Sequence, residues 1–162
     1  MTVIAINDTF HIGDTDSCFY EDKEGWIVIH ACKSPCHQRS VGYIGNLSPV
    51  HPNYLIKEDG HHLFLNMVDM NTPLMPRFAE PIFKKGIEFI KKNIEGNKVL
   101  IHCNMGLSRS PSIALLYMAK ISKGISNEDY DCAKNDFLKI YPAYNPGFGI
   151  DDYLRKHWTD LD

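Results

Sequence analysis

Apolar positions along the chain alternate between short dense runs and helically spaced stripes. Residues 3–6 and 10–12 read as two short strands, with a hairpin around Asn7-Asp8. Trp26-Ile27-Val28-Ile29-His30-Ala31 is a nearly unbroken apolar run, the pattern of a strand buried on both faces. Leu63–Asp69 predicts a further strand that ends on an acidic residue, and Val99-Leu100-Ile101 predicts one that ends in His102-Cys103. Between these two, Pro81 is expected to open a helix whose apolar positions Phe83, Ile87, Ile90 and Ile94 repeat at helical spacing. Lys84, Lys85, Lys91 and Lys92 form its solvated face, and Glu95-Gly96-Asn97 closes it.

A second helix is expected to begin near Arg109, run through Ser112–Ala119 and stop at Lys123-Gly124. Ser126-Asn127-Glu128-Asp129 has the form of a capping box for a third, with Tyr130, Ala133, Phe137 and Ile140 on one face and Cys132 in or near that packed layer. Tyr141–Pro146 reads as a turn, and Asn145-Pro146 caps a last helix carrying Ile150, Leu154 and Trp158. Ser34-Pro35 has the form of a short helix start, with Ser34 as cap. Residues 42–60 are rich in Gly, Pro, Asn and charge and read as one long connection with room for substrate contact. This order predicts an α/β domain: a central, mostly parallel twisted sheet flanked by helices, formed as a single domain over 1–162.

Composition narrows the function classes. A net charge of −3 gives no electrostatic footprint for nucleic acid or a membrane surface, so neither partner is expected. The first residues, Met1–Asp8, lack a basic segment and a long apolar core, and no run approaches membrane-spanning length. Five cysteines, an odd number in no framework pattern, suit a reducing cytoplasm. Cys32, Cys36 and His37 invite a metal reading, but no second ligand pair is evident in the sequence, so a loop or short helix is expected there. Adjacent His61-His62 read as a turn rather than a ligand pair.

The chemistry concentrates after the strand at Val99–Ile101. Backbone N–H groups of Asn104, Met105, Gly106, Leu107, Ser108 and Arg109 can curl into an anion nest, and the following helix points its positive end at the same spot. Gly106 permits a conformation that a β-carbon disfavours. Arg109 adds a planar fork matched to two phosphate oxygens. The same field stabilises a thiolate at Cys103. The strands ending at Asp69 and Cys103 belong to one βαβ unit, so they are expected to run parallel and could be adjacent; ligands bind off that carboxyl edge. Asp69 can then supply a proton to a departing oxygen and later withdraw one from water. Asp59 is the competing carboxylate, but it sits in a turn at the wrong end of the strand. Ser110 can donate to the sulfur, and His102 is expected to orient the loop.

The motif His102-Cys103-x-x-Gly106-x-Ser108-Arg109-Ser110 resembles the signature of cysteine-dependent protein phosphatases, specifically their dual-specificity branch. Phe10–Asp14, Asp69 and the helix Ile113–Ala119 resemble its flanks, and Trp26–Lys33 with Ser108–Tyr117 resembles small bacterial or phage members. The resemblance implies a protein-tyrosine-phosphatase-like fold and hydrolysis of phosphotyrosine, phosphoserine or phosphothreonine on protein. It also implies a cysteinyl-phosphate intermediate, with no metal and no cofactor. By the same resemblance Cys103 is nucleophile, Arg109 phosphate clamp, Asp69 acid and Ser110 thiolate support. The 34–60 connection and Tyr141–Phe148 depart from the family pattern. An RNA 5′-triphosphatase, a phosphoinositide phosphatase or a non-catalytic phosphate-binding module are the alternatives. The uncharged loop interior weighs against polyanionic substrates, and the presence of both Cys103 and Asp69 weighs against the binding module.

Overall fold

The computed structural model describes residues 3–162; Met1 and Thr2, the first two residues of the Met1–Asp8 stretch, lie outside the described residues. The strands are β1 (Ile4–Ala5), β2 (Phe10–Gly13), β3 (Trp26–His30), β4 (Ile56–Asp59), β5 (His62–Leu65) and β6 (Lys98–His102). The helices are α1 (Gln38–Val41), α2 (Pro76–Asn93), α3 (Arg109–Lys120), α4 (Tyr130–Ile140) and α5 (Phe148–His157). One sheet takes the order β1-β2-β6-β3-β5-β4. Its four inner strands are mutually parallel, and the edge strands β1 and β4 run antiparallel to their neighbours.

Strand alternation assigns the two faces. Phe10, Ile12, Ile27, Ile29, Leu63, Leu65, Val99 and Ile101 join one core with Phe83, Ile87 and Ile90 of α2 and the apolar side chains of α3. On α3 every residue from Ser110 to Lys120 is buried, so the helix after the phosphate-loop candidate is packed on all sides. The opposite sheet face carries His62, Phe64, His30 and His102, all buried.

Several expectations are corrected. β5 and β6 are parallel but not adjacent, because β3 pairs with both. The paired part of the Leu63–Asp69 run ends at Leu65, which leaves Asp69 in coil beyond the strand. β4 lies inside the expected long connection; its sequence Ile-Lys-Glu-Asp is half exposed, and charge on an edge strand blunts further pairing while hiding the strand from hydrophobic pattern. Helix α2 starts at Pro76, and Pro81 lies inside it at the loss of one backbone hydrogen bond near the helix start. Asp129, not Ser126, caps α4, accepting from Cys132 N at 2.8 Å. Cys132 is half-exposed and Ile140 is exposed, so both fall off the packed stripe. The cap of α5 is Gly147, and Trp158 follows that helix in a 3-10 turn. Ser34 caps nothing, since its backbone is extended inside the wide turn Lys33–His37. Of the two adjacent histidines, His61 lies in the turn and His62 opens β5.

Candidate active site

Cys103 leaves the carboxyl end of β6, between β2 and β3, and is 2% exposed. Its Sγ accepts from Gly106 N at 3.3 Å and lies 3.2 Å from Ser110 Oγ. Gly106 makes the first contact with φ +73°, the left-handed region where glycine carries no β-carbon penalty. Residues 104–108 thus wrap the sulfur, and α3 begins at Arg109 directly behind them.

Arg109 bridges two segments. Its Nη1 donates to Met67 O at 3.0 Å and its Nη2 to Asn104 Oδ1 at 2.7 Å. Its Nε is buried and has no hydrogen-bond partner, so the cation keeps an unused donor at the loop. Asn104 in turn donates to Ser34 O at 3.1 Å, and Met105 is exposed at the rim.

The loop carbonyls are held from outside. Gly106 O accepts from Tyr141 Oη at 2.8 Å, and Leu107 O accepts from Asn145 N at 2.8 Å. Burial pushes the Tyr141 phenol up, which keeps it a donor. Ser108 O accepts from Ser112 Oγ at 2.6 Å, and Ser112 Oγ lies 2.8 Å from Tyr144 Oη. Ser108 Oγ accepts from Gly147 N at 2.9 Å. Tyr141 and Tyr144 therefore brace a loop that lies far behind them in sequence. A stretch legible only as a turn carries no periodic signal that would have revealed this.

Asp69 is exposed, on the coil between β5 and α2. Its carboxylate rests on Gly147: a β-carbon there would lie 2.2 Å from Asp69 Oδ1. Since Gly147 N bonds Ser108, the carboxylate is a neighbour of the 104–108 loop through that glycine. Met67 O, two residues before Asp69, accepts from Lys33 N at 2.9 Å as well as from Arg109, and Met70 O accepts from Gly149 N at 2.8 Å. An apolar cavity of about 510 Å³, lined by Tyr54, Leu55, Met67, Leu74, Phe78 and Ile82, lies against this coil. Asp59 pairs with His62, at the amino end of β5, away from the edge that carries Cys103. The ring of His102 turns from the loop to the other sheet face, where its Nε2 lies 2.7 Å from His30 Nδ1. The one grouping of metal-ligating side chains among the described residues lies on that face too.

Comparison with known proteins fits this arrangement. Residues 28–148 match the family model "Dual specificity phosphatase, catalytic domain". Dual specificity protein phosphatase 9 of Homo sapiens is 32% identical over 107 residues, covering 65% of this chain and 27% of that protein. Dual specificity protein phosphatase 16 of Homo sapiens is 30% identical over 128 residues, 76% of this chain and 18% of that protein. The chain thus spans about a quarter or less of these relatives. The solved structure of DUSP15 superposes with a TM-score of 0.65 at 19% identity, covering 99% of this chain and 90% of that one, a likeness of fold. The chain belongs to the dual specificity phosphatase catalytic-domain family.

Proposed function

We propose that this chain is a single catalytic domain over 1–162 that hydrolyses phosphotyrosine, and phosphoserine or phosphothreonine, on protein substrates in the cytoplasm. The observation that carries the reading is the buried Cys103 sulfur, which faces Gly106 N and Ser110 Oγ beside an Arg109 whose Nε is unpaired. No described helix is long and apolar enough to cross a membrane.

In this mechanism the nest of loop amides and the Arg109 fork bind the phosphoryl oxygens. The Cys103 thiolate attacks phosphorus; the S–P bond forms as the ester P–O bond breaks. Asp69 delivers its proton to the departing oxygen. The Asp69 carboxylate then takes a proton from water, whose oxygen attacks phosphorus. The S–P bond breaks, and Ser110 donates a hydrogen bond to the returning thiolate. A general acid of this kind contributes roughly 10²–10⁴-fold.

The test is turnover of a phosphotyrosine peptide by Cys103→Ser. Loss of activity with retained peptide binding is expected; residual turnover at the native rate removes Cys103 as nucleophile. A competition panel of phosphotyrosine peptide, phosphothreonine peptide, phosphoinositide and RNA 5′-triphosphate decides the substrate class.

A further inference from the structure

The sheet face opposite the large helices gathers a ligand set that no local spacing announces. In the parallel register His30 of β3 stands beside His102 of β6, and alternation turns both rings to that face. Cys18 reaches them from the coil after the turn Thr15–Ser17, and Cys36 from the turn Lys33–His37. The two sulfurs and two ring nitrogens lie within 4.8 Å of one another. His30 Nδ1 to His102 Nε2 is 2.7 Å, and Cys36 Sγ to His102 Nε2 is 3.7 Å. His30, Cys36 and His102 are buried and Cys18 is half-buried.

We propose that Cys18, His30, Cys36 and His102 form a tetrahedral site for a thiophilic divalent ion, zinc in the first instance. Bonds of ~2.3 Å to sulfur and ~2.0–2.1 Å to nitrogen place the ligand atoms of such a site roughly 3.3–3.8 Å apart, so the 2.7 Å nitrogen pair must open and the widest pair, within 4.8 Å, must close by up to about 1 Å. Two thiols give up their protons to solvent on binding, and two thiolates cancel the charge of the ion. A neutral complex is what a buried position favours.

The surroundings match what orients ligands. The other nitrogen of His30, Nε2, lies 3.0 Å from His62 Nδ1, and His62 Nε2 lies 3.3 Å from Asp22 Oδ1. Only the first of these contacts is a hydrogen bond; it holds the His30 ring with Nδ1 toward the site, while His102 Nδ1 has no hydrogen-bond partner. Tyr20 Oη lies 3.0 Å from Cys36 Sγ, and the Tyr20 and Phe64 rings stack on His30. A row of hydrogen-bonded histidines requires no sulfur; two thiols converging on the same point set this cluster apart. His37, the third residue of the local cysteine–histidine grouping, is engaged elsewhere, with Tyr43 and Asn53.

The ion would be structural. It ties the end of β6, one residue before Cys103, to the coil that holds Cys18 and the turn that holds Cys36. No step of phosphoryl transfer passes through it.

The test uses the full chain, reduced, dialysed against a chelator and titrated with Co²⁺. One equivalent per chain is expected, with a thiolate-to-cobalt charge-transfer band, intense tetrahedral ligand-field bands, and displacement by Zn²⁺. Cys18→Ser and Cys36→Ser should each halve the thiolate band and weaken Co²⁺ binding by at least ~100-fold, beyond the usual effect of an outer-shell change. Cys132→Ser and Cys103→Ser should leave the spectrum as it is. Absence of the charge-transfer band overturns the site, as does a band that keeps its full intensity in Cys18→Ser or in Cys36→Ser. A band lost in Cys103→Ser also overturns it, by placing the metal on the phosphate-loop thiol. Circular dichroism monitors folding. If Cys36→Ser does not fold, the half-buried Cys18→Ser decides by the same criteria.

Discussion

The carboxylate of Asp69 lies against the α-carbon of Gly147, so close that a β-carbon there would stand 2.2 Å from Oδ1. The obstructed atom is the tip of a short side chain on an exposed coil, which can swing aside. Gly147 has φ −63°, a value any residue adopts. Gly147→Ala should therefore fold with stability within about 0.5 kcal/mol of the native chain, the usual range for surface changes. It should nevertheless displace the acid. We expect turnover of phosphotyrosine peptide to drop by roughly 10–100-fold, part of what a general acid contributes, with a much smaller drop on a substrate whose leaving group needs no proton. Equal losses on both substrates would falsify the assignment of Asp69 as acid.

Gly149 makes the opposite prediction. A β-carbon there meets Thr72 O at 2.8 Å and Met70 O at 2.9 Å, both backbone atoms that cannot rotate away. Gly149→Ala should destabilise the fold by about 1–3 kcal/mol, as overpacking does, and loosen the coil that carries Asp69. Chemical denaturation reads the first effect. Faster proteolysis between Val68 and Met75 reads the second.

Tyr141→Phe removes the hydroxyl that holds Gly106 O and leaves a buried carbonyl of the candidate phosphate loop without its donor. The expected loss is about 1–3 kcal/mol in stability. Because Gly106 N faces the Cys103 sulfur, binding of an oxyanion such as vanadate should weaken as well. A variant that loses stability while its vanadate affinity is unchanged would separate the brace from the loop.

Asp151 supplies a pH test. Burial opposes its ionisation, but hydrogen bonds from Lys134 and Tyr130 outweigh burial and hold its carboxyl below the ordinary 3.8. A carboxyl depressed in the folded state contributes stability above its unfolded value, and that contribution fades as pH falls through the folded one. Asp151→Asn should therefore be less stable than the native chain at about pH 7, and the gap should narrow below about pH 4. Thermal melts of both chains at the two pH values decide it; a gap that widens on acidification rules the account out.

Much of the candidate phosphate loop was legible because its parts are contiguous: an apolar strand, a sulfur, uncharged residues, an arginine and a helix within residues 99–119. The parallel inner strands were legible for a similar reason, since burial on both faces leaves continuous apolar runs. β4 escaped because an edge strand shows water its charges. The insertion of β3 between β5 and β6 escaped because a βαβ pattern fixes direction and not adjacency. Tyr141, Tyr144 and Gly147 escaped because their meaning lies in partners more than thirty residues away. The Cys18–His30–Cys36–His102 cluster escaped for the same reason: each member comes from a different segment, and only the strand register brings the two histidines together.

The position of β6 has a consequence for how activity would fade under stress. It is hydrogen-bonded on both sides, to β2 and to β3, and is sealed between buried layers. Its amides should exchange with solvent only on global opening, while those of the exposed coil around Asp69 exchange through small local fluctuations. The proposed nucleophile and the proposed acid thus sit at opposite ends of the molecule's scale of persistence. Mild denaturant should first strip away proton delivery, leaving a chain that still accepts a phosphoryl group from activated esters, and should abolish sulfur attack only when the sheet itself gives way.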